Sequence, residues 1–219
     1  MRRIFITMLI STMVLLFLPL YGFAQSGTQT GGEDNLKPNI VFDMIVKDKF
    51  SFQTIAGILY SPVYKRSSRP EINYVMTDLR FIWGLNPEFT VKKLNLEGNI
   101  DFILELTHSF IFEGAGSVVS GVTCLFRYNF PFSTDSIFPY IQAGGGVIYN
   151  DAYKDRSQIL IGNNIEYNPQ ISIGVRYLFE KNWSMDFEAM FHHLSNGGSD
   201  ERNTSVNAIG ALIGITRYF

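Results

Sequence analysis

The chain has 219 residues, with 18 basic and 20 acidic side chains that give a formal net charge of −2. This balance gives no reason to expect nucleic-acid binding, which depends on a basic surface. Aromatic residues make up 15% of the chain and charged residues only 17%, which is below the usual quarter. The lone cysteine, Cys124, excludes an internal disulfide, so the fold must close without a covalent link.

The N-terminus has the three regions of a secretory signal peptide. Two basic residues, Arg2 and Arg3, precede an apolar run to about Leu20, and a Gly-Phe-Ala segment follows before the predicted cut. We expect residues 1–24 to be a signal peptide that is removed on export, rather than a membrane anchor. The next residues, 25–38, are polar and rich in glycine, which indicates a flexible lead.

The remaining domain, residues 39–219, alternates apolar and polar side chains with the period of a β-strand. The clearest example runs from Leu94 to Leu106, where the even-numbered positions are apolar or glycine and the odd-numbered positions are mostly polar. No segment after the signal peptide is long and apolar enough to predict a membrane helix. The strands are predicted near 51–61, 72–85, 93–106, 116–130, 137–149, 166–179, 183–195 and 205–219.

An exported chain with these strands is either a soluble β-sandwich or an outer-membrane β-barrel. Several segments exceed the usual strand length of soluble domains and suit a tilted crossing of a bilayer. The faces opposite the apolar ones carry glycine and charges of both signs, including Arg127, Arg176, Asp186 and Glu188, as a narrow polar barrel interior would. We therefore predict an all-β fold, an eight-stranded antiparallel transmembrane β-barrel of the bacterial outer membrane.

Familiar catalytic and binding motifs are absent from the sequence, including a Walker A loop, a GxSxG elbow and the HExxH and CxxC metal spacings. No metal or organic cofactor is therefore implied. The glycines at 144–146 do not continue into a dinucleotide fingerprint, and within a strand they indicate close packing or a bend. His108 is isolated from other candidate ligands, and we expect it in a loop or at a rim.

The strongest chemical signal lies near the C-terminus. His193 and Ser195 are two positions apart in a predicted strand, so their side chains point to the same face. That face also carries Phe187, Ala189 and Phe191, which suggests an apolar substrate. A hydroxyl beside an imidazole is the minimum for an activated nucleophile, so we predict a hydrolytic pair.

The last strand offers a third member for this pair. Asn207 has the parity of the outer apolar face and would lie near His193 if the last two strands form a hairpin. The arrangement would supply a nucleophile, a base and an orienting polar group on one lipid-facing surface. Asn196 and the backbone amides of the glycines that follow it are candidate oxyanion donors.

The segment FHHLSNGG at 191–198, followed by Arg202-Asn203 and the terminal strand, resembles the outer-membrane lipid A 3-O-deacylase family, also called acyloxyacyl hydrolases. The resemblance implies an eight-stranded barrel whose His-x-Ser pair faces the bilayer. It also implies that Ser195 is the nucleophile, His193 the general base and Asn196 an oxyanion-hole donor.

The third member of the site differs from the family pattern. The best-known family members have a glutamate at the position of Asn207. An asparagine oxygen still accepts a hydrogen bond from the imidazole, as in Cys-His-Asn hydrolases, but it cannot balance the imidazolium charge. The loop acids Asp200 and Glu201 are alternative orienting groups.

The resemblance implies an outer-membrane serine esterase that removes an ester-linked acyl chain from lipid A. Lipopolysaccharide and outer-membrane lipids would then be its partners. Two alternatives stay open: a non-enzymatic small barrel in which His193 and Ser195 are rim residues, and an outer-membrane phospholipase or acyltransferase. The sequence leaves open the acyl position, the preferred chain length and whether the barrel forms a homodimer.

Overall fold

The computed structural model describes residues 50–61, 71–85, 98–130 and 136–219. The predicted signal peptide, 1–24, and the predicted lead, 25–38, lie outside these ranges. No helix within the described ranges is long and apolar enough to cross a membrane. These ranges contain the strands β1 (Phe50–Tyr60), β2 (Asn73–Leu85), β3 (Asn99–Glu113), β4 (Val118–Asn129), β5 (Ile137–Asn150), β6 (Ile165–Tyr167), β7 (Gln170–Glu180), β8 (Trp183–Leu194) and β9 (Val206–Tyr218), with a turn of 3-10 helix at Ala152–Lys154.

The strands close into an eight-stranded antiparallel barrel, in which β6 and β7 together make one strand of the wall. Consecutive wall strands pair, and β9 pairs back with β1 to close the ring. β6 and β7 keep one register on β5, with Val147 opposite Tyr167 and Gly144 opposite Gln170. The ladder is interrupted around Pro169, because proline has no N–H to donate. The closed ring confirms the predicted barrel rather than a two-sheet sandwich.

The third strand runs further than the sequence predicts. Its predicted end is near Leu106, whereas β3 continues to Glu113. The expectation of a loop or rim position for His108 is therefore wrong, because His108 lies within β3 on its outer face. The alternation continues through Phe110 and Phe112, so one imidazole interrupts the apolar face without ending the strand.

The inward-facing side chains form a polar core. Arg80 Nε donates to Glu105 over 2.7 Å, and its Nη1 donates to Glu188 over 2.5 Å. Arg127 Nη2 lies 3.5 Å from the same Glu188 carboxylate. Pairing of these buried charges offsets the free energy of removing them from water. The charges predicted to face inward are all buried, at Arg127, Arg176, Asp186 and Glu188.

The interior becomes apolar towards the end of the barrel where β8 ends and β9 begins. Met190 and Leu194 of β8 are buried there, and the loop between β5 and β6 inserts Ile161 into the same cluster. His192 also points inward, and its Nδ1 lies 2.7 Å from the Tyr74 hydroxyl. This apolar cluster supports the last residues of β8 from inside the barrel.

Aromatic side chains mark both ends of the outer wall. The Phe50 and Trp83 rings lie 5.6 Å apart where β1 begins, and Trp183 begins β8 at the same end of the barrel. Tyr60 and Phe112 lie 5.9 Å apart at the opposite end. Such pairs suit the two interfaces of a bilayer, with an apolar wall between them.

The three consecutive glycines of β5 have different surroundings. A Cβ at Gly144 would lie 2.1 Å from the Cys124 carbonyl oxygen, and one at Gly146 would lie 2.0 Å from that of Val122. These two glycines therefore permit the close approach of β4 that the sequence predicts. Gly145 points to the outer wall, where an added Cβ would meet no atom closer than 3.4 Å.

Candidate active site

The strand that pairs with the end of β8 fixes the backbone of both predicted catalytic residues. His193 N donates to Pro169 O over 3.0 Å, and Ser195 N donates to Tyr167 O over 3.1 Å. Tyr167 N donates back to Ser195 O over 2.8 Å. His193 and Ser195 are both partly exposed, whereas the intervening Leu194 is buried. The pair therefore lies on the outer face, as the alternation predicts.

His193 and Asn207 are direct neighbours across the β8–β9 hairpin. They are register partners, and His193 Nδ1 lies 2.7 Å from Asn207 Oδ1. The amide oxygen can only accept, so the imidazole carries its proton on Nδ1. In the neutral imidazole Nε2 is then the unprotonated nitrogen, which is the form that a general base needs.

The Ser195 hydroxyl is available to form a hydrogen bond with His193 Nε2. Within residues 50–61, 71–85, 98–130 and 136–219, no hydrogen bond joins it to another group. The structure therefore brings His193 and Asn207 together but does not close the bond between His193 and Ser195. Catalytic hydrogen bonds of this type often tighten only when a substrate is bound.

Asn196 shapes the loop that follows the catalytic strand. Its side chain is buried, with Oδ1 accepting from Gly198 N over 2.8 Å and Nδ2 donating to Arg202 O over 3.3 Å. Its backbone N–H donates to Asn203 Oδ1 over 3.1 Å. Gly197 has a φ of 65°, a left-handed conformation that favours glycine. In the described part of the chain, the Gly197 N–H has no hydrogen-bond partner.

Neither loop acid contacts His193. Asp200 Oδ1 accepts from Arg202 N over 2.8 Å and lies 3.7 Å from Arg202 Nε. Glu201 is exposed, and neither acid bonds His193. The position beside the imidazole is therefore held by Asn207.

Sequence reasoning assigned no role to Arg202, which ties two loops together. Its guanidinium donates to the carbonyls of Tyr153, Asp155 and Gly162 over 3.3, 3.3 and 3.0 Å. Its own carbonyl accepts from Asn196. Arg202 thereby fastens the β5–β6 loop onto the loop that begins at Ser195. Arg202 stands in the C-terminal motif, but the motif does not show which carbonyls it reaches.

A second His–Ser pair lies elsewhere on the outer wall. His108 Nδ1 of β3 lies 2.6 Å from Ser120 Oγ of β4. Within the described ranges its other ring nitrogen has no orienting partner, unlike the imidazole of His193. Both residues lie within paired strands, whereas Ser195 directly precedes the loop that carries Gly197. No group of three or more His, Cys, Asp or Glu in those ranges has a geometry that would hold a metal ion.

A closed eight-stranded antiparallel barrel with exposed apolar side chains around its outer wall defines a membrane-barrel protein. The family model for lipid A 3-O-deacylase (PagL) matches residues 73–216, and the chain belongs to this family. It is accordingly an outer-membrane protein of a lipid A deacylase family. No curated protein sequence matches the chain.

Two solved structures support the same fold. The crystal structure of the outer membrane enzyme PagL is 18% identical, with a TM-score of 0.52, and the match covers 75% of this chain and 97% of that one. The crystal structure of Neisserial surface protein A (NspA) is 14% identical, with a TM-score of 0.54, and covers 78% and 97%. At these identities the two similarities show only that the chain shares the barrel fold.

Proposed function

We propose that this barrel deacylates lipid A by serine catalysis, with Ser195 as nucleophile, His193 as general base and Asn207 as the orienting group. The observation that carries the proposal is the 2.7 Å hydrogen bond between His193 Nδ1 and Asn207 Oδ1. It fixes the imidazole in the tautomer that leaves Nε2 free to take a proton. Membership of the lipid A 3-O-deacylase family supplies the reaction.

The reaction would proceed in two acyl transfers. His193 Nε2 takes the hydroxyl proton as Ser195 Oγ attacks the ester carbonyl and forms a tetrahedral intermediate. Collapse breaks the ester bond, and the departing sugar oxygen takes the proton from His193. A water molecule then attacks the acyl-serine with His193 again as base, which releases the fatty acid and restores the Ser195 hydroxyl.

The loop after Ser195 would stabilise the oxyanion. The free Gly197 N–H is two residues from the nucleophile, and the loop geometry of Asn196 holds that amide in place. The Asn196 side chain itself is a second candidate donor, although its Nδ2 already donates to Arg202 O. Removing one oxyanion donor typically lowers kcat by about 10²–10³-fold.

The outward position of the site supports a lipid substrate that approaches from the side. Phe187, Phe191 and Ile209 are exposed on the wall below the site and would contact lipid chains. Lipid A, carried in lipopolysaccharide, is the substrate that the family implies. Export through a cleaved signal peptide at 1–24 is part of the proposal, and homodimerisation stays a prediction.

The test uses the purified mature barrel with lipid A in detergent micelles, and mass spectrometry to follow the loss of one acyl chain. His193→Ala should abolish this loss. His108→Ala is the matched control, because it also removes an outward imidazole paired with a serine, and it should retain activity. A wild-type barrel that leaves lipid A intact would overturn the proposal, and one that cleaves added phospholipid instead would identify a phospholipase.

A further inference from the structure

We propose that Arg217 and Lys181 form a binding site for the phosphate of an anionic phospholipid, at the end of the barrel opposite the catalytic cluster. The lipid would lie in the leaflet that borders this end, with its headgroup against the Trp183 ring. The site depends on the membrane barrel and not on the proposed reaction, so each can be tested without the other.

Arg217 is an exception on the outer wall. It is the only arginine or lysine at an outward position of the described strands, and the preceding outward residues of β9, Ile213 and Ile215, are apolar. A permanent charge on a lipid-facing wall costs folding free energy unless it reaches the polar edge of the bilayer. Arg217 stands near the end of β9, where its long side chain can reach that edge.

The Arg217 guanidinium has no partner of opposite charge in the structure. The inward-facing strand arginines, Arg80, Arg127 and Arg176, each form an ion pair with a buried carboxylate. In the part of the chain that the structure describes, no ion pair or hydrogen bond engages Arg217. Its N–H donors and its charge are therefore available to an anionic ligand.

Two aromatic rings hold the guanidinium in place. Arg217 Cζ lies 4.9 Å from the centroid of the Trp183 ring and 5.9 Å from that of the Phe219 ring. A planar guanidinium that stacks on a ring keeps its N–H groups at its edge, where they can bind two oxygens of a phosphate. Tryptophan side chains of membrane proteins lie at the level of the lipid headgroups. Arg217 is therefore held at the depth of lipid phosphates.

Lys181 supplies a second cation beside the same ring. It is exposed in the turn between β7 and β8, two residues before Trp183. This turn contacts the end of β9, because Tyr218 N donates to Asn182 O over 3.0 Å. Trp183 is also the register partner of Arg217, so one ring lies next to both cations. Within the described ranges Lys181 forms no ion pair.

The charges around Trp183 favour a headgroup that carries no amine. Glu180 is the register partner of Trp183 on the side away from Arg217, and no ion pair joins it to either cation in the described chain. Two cations and one acid leave this surface positive. A phosphate followed by an ammonium group would place a like charge near Lys181, whereas a glycerol headgroup would not. The site should therefore prefer phosphatidylglycerol to phosphatidylethanolamine.

The lengths of the connections indicate which leaflet this end borders. Only residues 181–182 join β7 to β8, whereas the catalytic end carries the longer connections 151–164 and 195–205. Outer-membrane barrels have short periplasmic turns and longer external loops. Arg217 thus lies at the periplasmic leaflet, and the lipid bound there would not be the substrate of the catalytic cluster.

The experiment incubates the folded barrel, in detergent micelles, with equal amounts of phosphatidylglycerol and phosphatidylethanolamine that carry the same acyl chains. Native mass spectrometry then measures how much of each lipid stays bound. The wild-type barrel should retain phosphatidylglycerol in preference. Arg217→Gln and Lys181→Gln should each lower the phosphatidylglycerol-to-phosphatidylethanolamine ratio by about fivefold, the scale expected for one cation at a lipid surface.

Arg156→Gln is the charge-matched control, because it removes one positive charge from a loop at the catalytic end and should leave the ratio unchanged. Arg217→Lys keeps the charge without the planar pair of donors and should give an intermediate ratio. If Arg217→Gln lacks the mobility shift of a folded barrel on unheated gels, Arg217→Lys and Lys181→Gln test the site in its place.

Three results would overturn the site. The first is a wild-type barrel that shows no preference for phosphatidylglycerol. The second is a wild-type ratio in the folded Arg217 and Lys181 variants. The third is an equal decrease in Arg156→Gln, which would mean that the net charge of the protein, and not this surface, retains the lipid.

Discussion

Asn207 Oδ1 lies 2.7 Å from His193 Nδ1, on neighbouring strands of the terminal hairpin and on the outer face of the barrel. The asparagine supplies the acceptor that orients an imidazole but carries no negative charge. It occupies the position at which the sequence resemblance implies a glutamate. The site should therefore hold its base correctly while stabilising the imidazolium less than a carboxylate would.

Substitution of Asn207 tests this division of roles. Asn207→Ala should lower turnover on lipid A by about one to three orders of magnitude, because the imidazole loses its orienting partner. Asn207→Glu should preserve or raise turnover, because a carboxylate also stabilises the imidazolium. Asp200→Asn is the control, since Asp200 is engaged with Arg202. If Asp200→Asn lost turnover while Asn207→Ala retained it, the orienting group would lie in the loop instead.

The folding free energy lost when a charge is placed on the outer wall should depend on the depth of that position in the bilayer. Leu106 lies at the centre of β3 and is exposed on the outer face, so Leu106→Arg should cost about 2–4 kcal/mol of folding free energy. Phe102→Arg should cost less, because Phe102 lies 5.9 Å from Trp83 near one aromatic belt. Unfolding in urea from lipid vesicles measures both. Equal and negligible costs would contradict a lipid-facing wall.

The interior ion pairs should dominate barrel stability. Arg80→Met would leave the Glu105 and Glu188 carboxylates buried without their main partner. Breaking a buried pair in this way typically costs about 3–5 kcal/mol. Arg217→Met, on the outer wall beside Trp183, should cost far less, because it removes only cation–π contacts with the Trp183 and Phe219 rings. Similar urea midpoints for the two variants would show that the interior pairs do not hold the barrel.

Arg202 should affect catalysis without touching substrate. Arg202→Met removes the donor to three carbonyls of the β5–β6 loop and should loosen the turn that carries Gly197. We expect kcat to fall by about ten- to a hundredfold, as small misplacements of catalytic groups do. KM should change little, and the barrel should stay folded. Arg156→Met, an exposed residue of the same loop, should retain wild-type kcat. If Arg156→Met lowered kcat as much as Arg202→Met, the effect would come from the charge of the loop and not from the hydrogen bonds of Arg202.

Local alternation accounts for what the sequence predicted well. Period-2 patterns place the outward and inward faces correctly even where Leu125 or Leu212 interrupts the polar face, because parity survives a single exception. Asn207 could be placed near His193 because a hairpin between adjacent strands leaves few registers. The continuation of β3 past Leu106 was missed because polar His108 follows there.

Contacts between segments far apart in sequence could not be predicted in this way. The pairing of Ser195 with Tyr167 and the carbonyls held by Arg202 depend on the closed ring and on loop conformation. Neither leaves a periodic signal in the chain. The sequence shows the proline at position 169, but it does not show that Pro169 lies beside His193.

The most direct test of the account removes the nucleophile. Ser195→Ala, purified as a folded barrel and incubated with lipid A, should release no fatty acid by mass spectrometry, a loss of roughly 10⁴-fold or more. Ser120→Ala, which removes the hydroxyl of the second outward pair, should release fatty acid at the wild-type rate. Release of fatty acid by Ser195→Ala near the wild-type rate would contradict the central claim.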